Sequence, residues 1–283
     1  LVQGRVARVV LHAWALAICG SVLTTYQHHF IDIPTGALLG LLCVWAWPLE
    51  RRLSMARAWR WTQDARRRSL AARYAAGGLL LAALTLAGGG AALWLLWPAV
   101  AVALVALNYA GFGARGFQMD ANGRMAWPAR VLLAPYRLAA LINGRWWTRK
   151  GPPLRPVLPG VLVGSLSRLS AVPERFTVVS LCAELQAPEP AHCLCLPWLD
   201  LVPATPAALR RAAAAIDRAV QRGQPVVVGC ALGFSRSVAA LACWLARSGR
   251  VADLDEALRH LRQAHPQLVL GPDWQRALQQ ATR

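Results

Sequence analysis

Val226–Leu245 reads VVVGCALGFSRSVAALACWL. The valines suit a buried strand, and in α/β folds the C-terminal edge of such a strand is where ligands bind. Gly233 lets the following backbone curl so that successive N–H groups point inward. From Arg236 the pattern becomes helical, and the helix N-terminus brings its partial positive charge to the same spot. Ala231, Leu232, Gly233, Phe234 and Ser235 thus form a nest suited to a tetrahedral dianion, with Cys230 at its floor as candidate nucleophile. Arg236, six residues on, can hold two oxygens of that anion in a fork, and Ser237 can donate to the sulfur when it leaves. A cysteine and an arginine at this spacing arise easily by chance in so arginine-rich a chain. The strand–loop–helix context carries the reading against a plain core cysteine followed by a helix-start arginine.

CALGFSRS resembles the C-x5-R loop of the cysteine-dependent dual-specificity phosphatases, within the tyrosine phosphatase superfamily. The resemblance extends over Pro156–Gln280. FTVVSLCAEL is similar to that family's early strand and turn, and LRQAHPQLVLGPDWQRAL to its C-terminal helices. The resemblance implies two-step hydrolysis of a phosphomonoester through a phosphocysteine, needing neither metal nor cofactor. It also implies a general acid on a loop about thirty residues before the cysteine, where LPWLDLVPAT supplies Asp200. The alternative for Asp200 is a solvated loop residue or helix cap, but no other acid stands between Glu189 and Asp217. One departure matters: the family usually has histidine before the cysteine, helping to order the loop and activate the thiol, and here that residue is Gly229. Weakened activation is expected, with a pseudophosphatase that binds phosphate without cutting it as the alternative.

The chain around this loop has 283 residues, an apolar fraction of 56% and a net charge of +18. Apolar runs near bilayer length, separated by arginine clusters, fit a membrane protein with basic cytoplasmic loops. Nucleic-acid binding is motivated by charge alone and disfavoured, because the arginines lie between apolar runs. Expected crossings are Val9–Tyr26, Ile33–Leu49, Ala75–Trp94 and Leu95–Gly113, with Gly88–Gly90 or Pro98 marking the last turn. The expected organisation is the last two helices of an incomplete membrane domain (1–50), a basic cytoplasmic loop (51–74), a transmembrane hairpin (75–113) and an interfacial basic and aromatic linker (114–151). A soluble domain follows (152–283). Arg124–Lys150 suits the membrane interface, or else a helix packed on a domain surface. From Gly151, short strands alternating with helices predict an α/β domain with a mainly parallel sheet. The fold class is therefore an α-helical transmembrane region followed by an α/β domain. The seven cysteines are scattered, Cys193 and Cys195 lack a second half with zinc spacing, and a reduced compartment is expected. Beginning at Leu1, the chain reads as a fragment or processed form without a signal peptide.

TTYQHHFIDIPTGALLG falls on the outer face in that topology. His28 and Asp32 are four apart, so on a helix the carboxylate could orient the imidazole. With P-x-G and a further crossing, the stretch resembles the third motif of the type-2 phosphatidic acid phosphatase superfamily, although Ser21 is followed by Val22 where that motif has arginine. The motifs for phosphate binding and acid catalysis are absent, so this outer site is expected to be vestigial. Bacterial proteins joining the two phosphatase types look most similar overall. They imply an integral protein of the bacterial inner membrane, with the C-terminal domain cytoplasmic and acting on phosphorylated proteins or lipid phosphates.

Overall fold

The computed structural model describes residues 4–24, 31–48, 55–189 and 192–283. Helices α1 (Arg5–Thr24), α2 (Asp32–Ala46), α3 (Met55–Ala58), α4 (Ala65–Gly88) and α5 (Leu96–Leu107) build the N-terminal lobe. A one-turn π-helix (Asn108–Phe112) and a 3-10 turn (Gly113–Phe117) continue α5. Helix α4 starts ten residues before the expected crossing, so Arg66, Arg67, Arg68 and Arg73 are helical rather than part of a loop. The reason is its cap: the Asp64 carboxylate accepts the N–H groups of Arg66 and Arg67, at 2.8 and 3.1 Å. The turn between α4 and α5 falls at the glycines, where Gly89 and Gly90 have φ of +52° and +43°. Pro98 instead sits in the first turn of α5. Ala65–Gly88 and Gly90–Phe117 are long and apolar enough to cross a bilayer, whereas α2 has only 15 residues. Gly78 lets the pair approach closely, a Cβ there lying 3.4 Å from Ala103 N and Ala99 O.

The C-terminal lobe is a five-stranded mixed sheet in the order β1-β2-β5-β3-β4. Its strands are β1 (Leu154–Leu158), β2 (Val161–Ser165), β3 (Thr177–Cys182), β4 (His192–Trp198) and β5 (Val226–Cys230). Only β1 and β2 pair antiparallel; the other three pairings are parallel. Strands β3 and β5 are buried at every position, because helices or loops cover both faces. Val226, Val228 and Cys230 face a core shared with α8 (Pro206–Gln221), α9 (Arg236–Arg247), α10 (Leu254–Ala264) and α11 (Pro272–Thr282). Val227 faces the opposite core, with Leu166, Val172 and Val178.

That second core is completed from outside the soluble segment. Helices α6 (Trp127–Leu132) and α7 (Ala134–Thr148) follow the α4–α5 hairpin, and Ala140 and Leu141 of α7 pack against the cluster that holds Leu166 and Val227. Gly144 lets α7 lie directly on the loop after β2: a Cβ there would meet Ser167 Oγ at 2.5 Å. The outer face of α7 carries Leu138, Ile142 and Trp146, each about 60% exposed, spaced four apart. The alternative of a helix packed on a domain surface thus describes the inner face of α7. The lobes also share a core in which Ala183, Leu199 and Val202 pack with Leu104, Val105, Tyr109 and Leu132. Replacing Gly144 with valine should force α7 off the sheet and destabilise the chain by about 1–3 kcal/mol. An unchanged melting temperature for Gly144→Val would show that α7 is not part of this core.

Candidate active site

Strand β5 ends at Cys230 and α9 begins at Arg236, so Ala231–Ser235 is the whole connection. Gly233 has φ +83°, and a Cβ there would lie 3.0 Å from Gly164 O; both the conformation and the space call for glycine. The turn directs the Gly233 N–H at Cys230 Sγ, 3.2 Å away, and Ser237 Oγ lies 3.4 Å from the same sulfur. The rest of the loop is tied down from outside. The Ala231 carbonyl accepts Ser165 Oγ at 2.9 Å and Ser167 N–H at 3.2 Å, and the Phe234 carbonyl accepts Val269 N–H at 2.9 Å. Leu232 packs into the second core, and the Phe234 ring meets His265 edge-on at 5.4 Å. Ser235 makes no side-chain cap on α9. Burial and the nearby Arg155 push the His265 pKa down to about 4, so the ring behind the loop is neutral.

Arg236 is almost wholly buried, at 2% exposure. Its Nη1 and Nη2 donate to the two carboxylate oxygens of Glu184, at 2.9 and 2.6 Å. Nη1 also donates to the Trp198 carbonyl at 2.9 Å, and Nη2 lies 3.1 Å from Asp200 Oδ1. The fork that the sequence assigns to phosphate oxygens therefore faces Glu184 here, with Asp200 as a third anionic neighbour. Burial would raise the Glu184 pKa, yet the charge and hydrogen bonds of Arg236 hold it below the ordinary carboxylate value. Burial would lower the Arg236 pKa, and Glu184 and then Asp200 keep it raised. Asp200 behaves differently: burial raises its pKa, Arg236 opposes this, and Glu184 adds to the rise. It is also the most open of the three, its side chain being 37% exposed. The next residue, Leu201, has φ +59°, a left-handed conformation uncommon for leucine.

Glu184 stands in FTVVSLCAEL, where the sequence pattern marks only a strand and turn and gives no sign of its pairing with Arg236. An available signal was a carboxylate just past the C-terminal end of an otherwise apolar strand, on the edge where ligands bind. Gly229 has a structural cause: a Cβ there would lie 2.7 Å from Leu166 Cδ2, so Leu166 fills the space beside the cysteine. Of the outer-face pair, Asp32 is the first residue of α2, and His28 lies outside the described residues. All seven cysteines are free. Cys193 and Cys195 lie on β4, where burial raises their pKa values to about 12 and about 11. Among the described residues, no group of three or more His, Cys, Asp or Glu side chains could hold a metal ion.

Removing the Glu184 charge leaves Arg236 buried with its main partner gone, and Glu184→Gln should cost about 3 kcal/mol. Because the folded-state pKa of Glu184 is depressed, its stabilisation is present above the ordinary carboxylate value and lost as pH falls through the folded value. Denaturant titrations from neutral to acid pH should therefore show wild type and Glu184→Gln converging at low pH. Curves that stay parallel would contradict the linkage.

Residues 178–283 match the family model of the dual specificity phosphatase catalytic domain. No curated protein matches the chain. Among solved structures, human DUSP28 is 26% identical with a TM-score of 0.39, covering 47% of this chain and 94% of its own. A mouse protein described as a dual specificity phosphatase, complexed with zinc tungstate, is 24% identical with a TM-score of 0.41, covering 47% of this chain and 87% of its own. PTPMT1 in complex with PI(5)P is 16% identical with a TM-score of 0.40, covering 46% of this chain and 95% of its own. The match to the family model runs from β3 to α11 and so takes in Glu184, Asp200, Cys230 and Arg236.

Proposed function

We propose that the chain is a membrane-tethered phosphatase that hydrolyses phosphomonoesters of proteins or lipids through a phosphocysteine. The observation that carries this reading is the convergence at one sheet edge of Cys230, its two hydrogen-bond partners, and the Arg236–Asp200 pair. Substrate phosphate takes the place of the Asp200 carboxylate beside Arg236. Its negative charge favours the neutral form of the displaced acid. Cys230 sulfur then bonds to phosphorus as the ester P–O bond breaks, and Asp200 gives its proton to the departing oxygen. In the second step Asp200 takes a proton from water as the water oxygen bonds to phosphorus. The S–P electron pair returns to Cys230, to which Ser237 donates. Arg236 and the loop amides stabilise the charge on the phosphoryl oxygens throughout.

Two features favour a membrane-borne substrate. The hairpin Ala65–Phe117 is suited to a bilayer, with Arg60, Arg66, Arg67, Arg68 and Arg115 near its two ends on one side. The exposed stripe of α7 lies on the helix that supports the phosphate loop, with the Arg149 guanidinium over the Trp146 ring at 3.4 Å. This geometry suits a cytoplasmic catalytic domain held against the inner leaflet. A second reading, a phosphate-binding module without turnover, is favoured by the Leu166-filled space at Gly229.

Phosphate release by the whole chain in detergent or nanodiscs separates the two readings. Wild type should turn over and Cys230→Ser should lose activity by at least about 10³-fold, since the covalent step has no substitute. Bound vanadate without turnover in wild type would instead establish the binding module. The raised pKa of Asp200 keeps its carboxyl protonated to higher pH than an ordinary aspartate. Turnover of an alkyl phosphate should therefore decline as pH rises through that value. Asp200→Asn should flatten this limb, lower turnover about 10²-fold, and tighten inorganic phosphate by removing a competing carboxylate. Weaker phosphate binding in Asp200→Asn would contradict the displacement step.

A further inference from the structure

The general-acid loop is held from the membrane side. Tyr109 lies in the π-helix at the end of α5, and its hydroxyl donates to the backbone carbonyl of Asp200 at 2.9 Å, across 91 residues of sequence. On either side of Asp200, Leu199 and Val202 are each 8% exposed and bury into the helical core with Leu104, Val105 and Tyr109. The left-handed Leu201 lies between these anchors, so the loop is pinned before and after its strained residue.

The π-turn is itself specified by contacts from outside its own helix. Its Asn108 carbonyl accepts Arg67 Nη2 at 3.3 Å, its Ala110 carbonyl accepts Thr62 N–H at 2.9 Å, and its Gly111 carbonyl accepts Arg60 N–H at 3.4 Å. Gly111 is needed there because a Cβ would strike the Trp59 ring at 2.5 Å. The Tyr74 ring stacks on Tyr109 at 5.3 Å and meets Tyr136 of α7 edge-on at 5.9 Å. Extra residues in a helical turn redirect its side chains, and such bulges recur at functional sites. Here the bulge points a buried phenol at a loop of the other lobe.

We propose that Tyr109 is a positioning residue for the general acid, so that the membrane-side lobe completes the phosphatase site. It touches no reacting atom; it fixes the backbone from which the Asp200 carboxyl reaches the phosphate loop. Loss of the hydroxyl frees the loop to sample placements in which the acid misses the leaving oxygen. This inference rests on the proposed role of Asp200.

The chemistry supplies a selective readout. An aryl phosphate with an acidic phenol departs with little help from an acid, whereas an alkyl phosphate needs the proton. The chain of residues 1–283 in nanodiscs is assayed with p-nitrophenyl phosphate and with a simple alkyl phosphate, for wild type, Tyr109→Phe, Asp200→Asn and Val105→Ala. Asp200→Asn should lose about 10²-fold or more on the alkyl ester and far less on the aryl ester. Tyr109→Phe should move the same ratio in the same direction by about tenfold, with the alkaline limb of its pH profile altered. Val105→Ala, which loosens the same core but leaves the phenol in place, should lower the melting temperature without moving the ratio. If Tyr109→Phe does not accumulate folded, Arg67→Gln, which releases only the Asn108 carbonyl, should shift the ratio more weakly. A selective loss in Asp200→Asn with equal losses on both esters in Tyr109→Phe, or in its substitute Arg67→Gln, would overturn the positioning role and leave the acid assignment standing. An unselective loss in Asp200→Asn, or no wild-type turnover, would overturn both.

Discussion

A guanidinium buried to 2% exposure cannot stand alone, and the site is organised around that constraint. Arg236 is at the start of α9, where the helix N-terminus already contributes partial positive charge. Its neighbourhood must therefore supply anions and carbonyls, and it does so from three separate elements. Glu184 comes from the turn after β3, the Trp198 carbonyl from the end of β4, and Asp200 from the loop beyond. Each lies near the C-terminal end of a parallel strand, so the sheet order β5-β3-β4 itself brings them to Arg236. The charged groups also divide by environment. The enclosed Glu184 has its pKa held below the ordinary carboxylate value by Arg236, whereas the pKa of the more open Asp200 is raised. Environment, not residue type, pushes the two carboxyl pKa values apart.

The Ala231–Ser235 loop is held in its curl by hydrogen bonds on both of its sides. Its inward-facing donors include the Gly233 amide, while the Ala231 and Phe234 carbonyls face outward and need partners. Ser165, Ser167 and Val269 provide them. Ser167 in turn receives Arg145 Nε on its carbonyl at 3.1 Å, which links α7 to the back of the loop. Leu166, between the two serines, fills the space that a side chain at Gly229 would occupy. Glycine before the cysteine thus leaves the room that Leu166 occupies.

The two lobes share apolar cores. The hairpin helices bury Leu199 and Val202, α7 covers the second face of the sheet, and Arg66 of α4 pairs with Asp273 of α11 at 3.1 Å. That surface pair adds little stability by itself, but the shared apolar cores are not separable without exposing them to water. The apolar hairpin and the sheet that carries Cys230 are consequently linked through packing. The Tyr109 hydroxyl at the end of the hairpin donates to the Asp200 carbonyl, although 91 residues separate them along the chain.

Local chemistry made much of this readable in one dimension. The valine run, the glycine-bearing loop and the helix after it are neighbours in sequence, so the cradle around Cys230 could be drawn from Val226–Leu245 alone. Helices α8 and α10 begin one residue beyond their caps Thr205 and Asp253, whose side chains accept the expected N–H groups. Apolar runs likewise announced the hairpin, although Asp64 starts α4 earlier than hydropathy implies, because a cap outweighs a few arginines at a helix start. Strand β4 was read only as the approach to an acidic loop, since HCLCLPW carries no clean alternation at the sheet edge. What the one-dimensional pattern could not contain was partnership across lobes. Glu184 becomes the counter-ion of Arg236, and Tyr109 an anchor of Asp200, only when β3, β4, β5 and the π-turn meet in space. Sequence determines which side chains carry charge and which backbone stretches curl. Only tertiary structure decides which buried charges meet, because the cost of desolvating each depends on what packs against it.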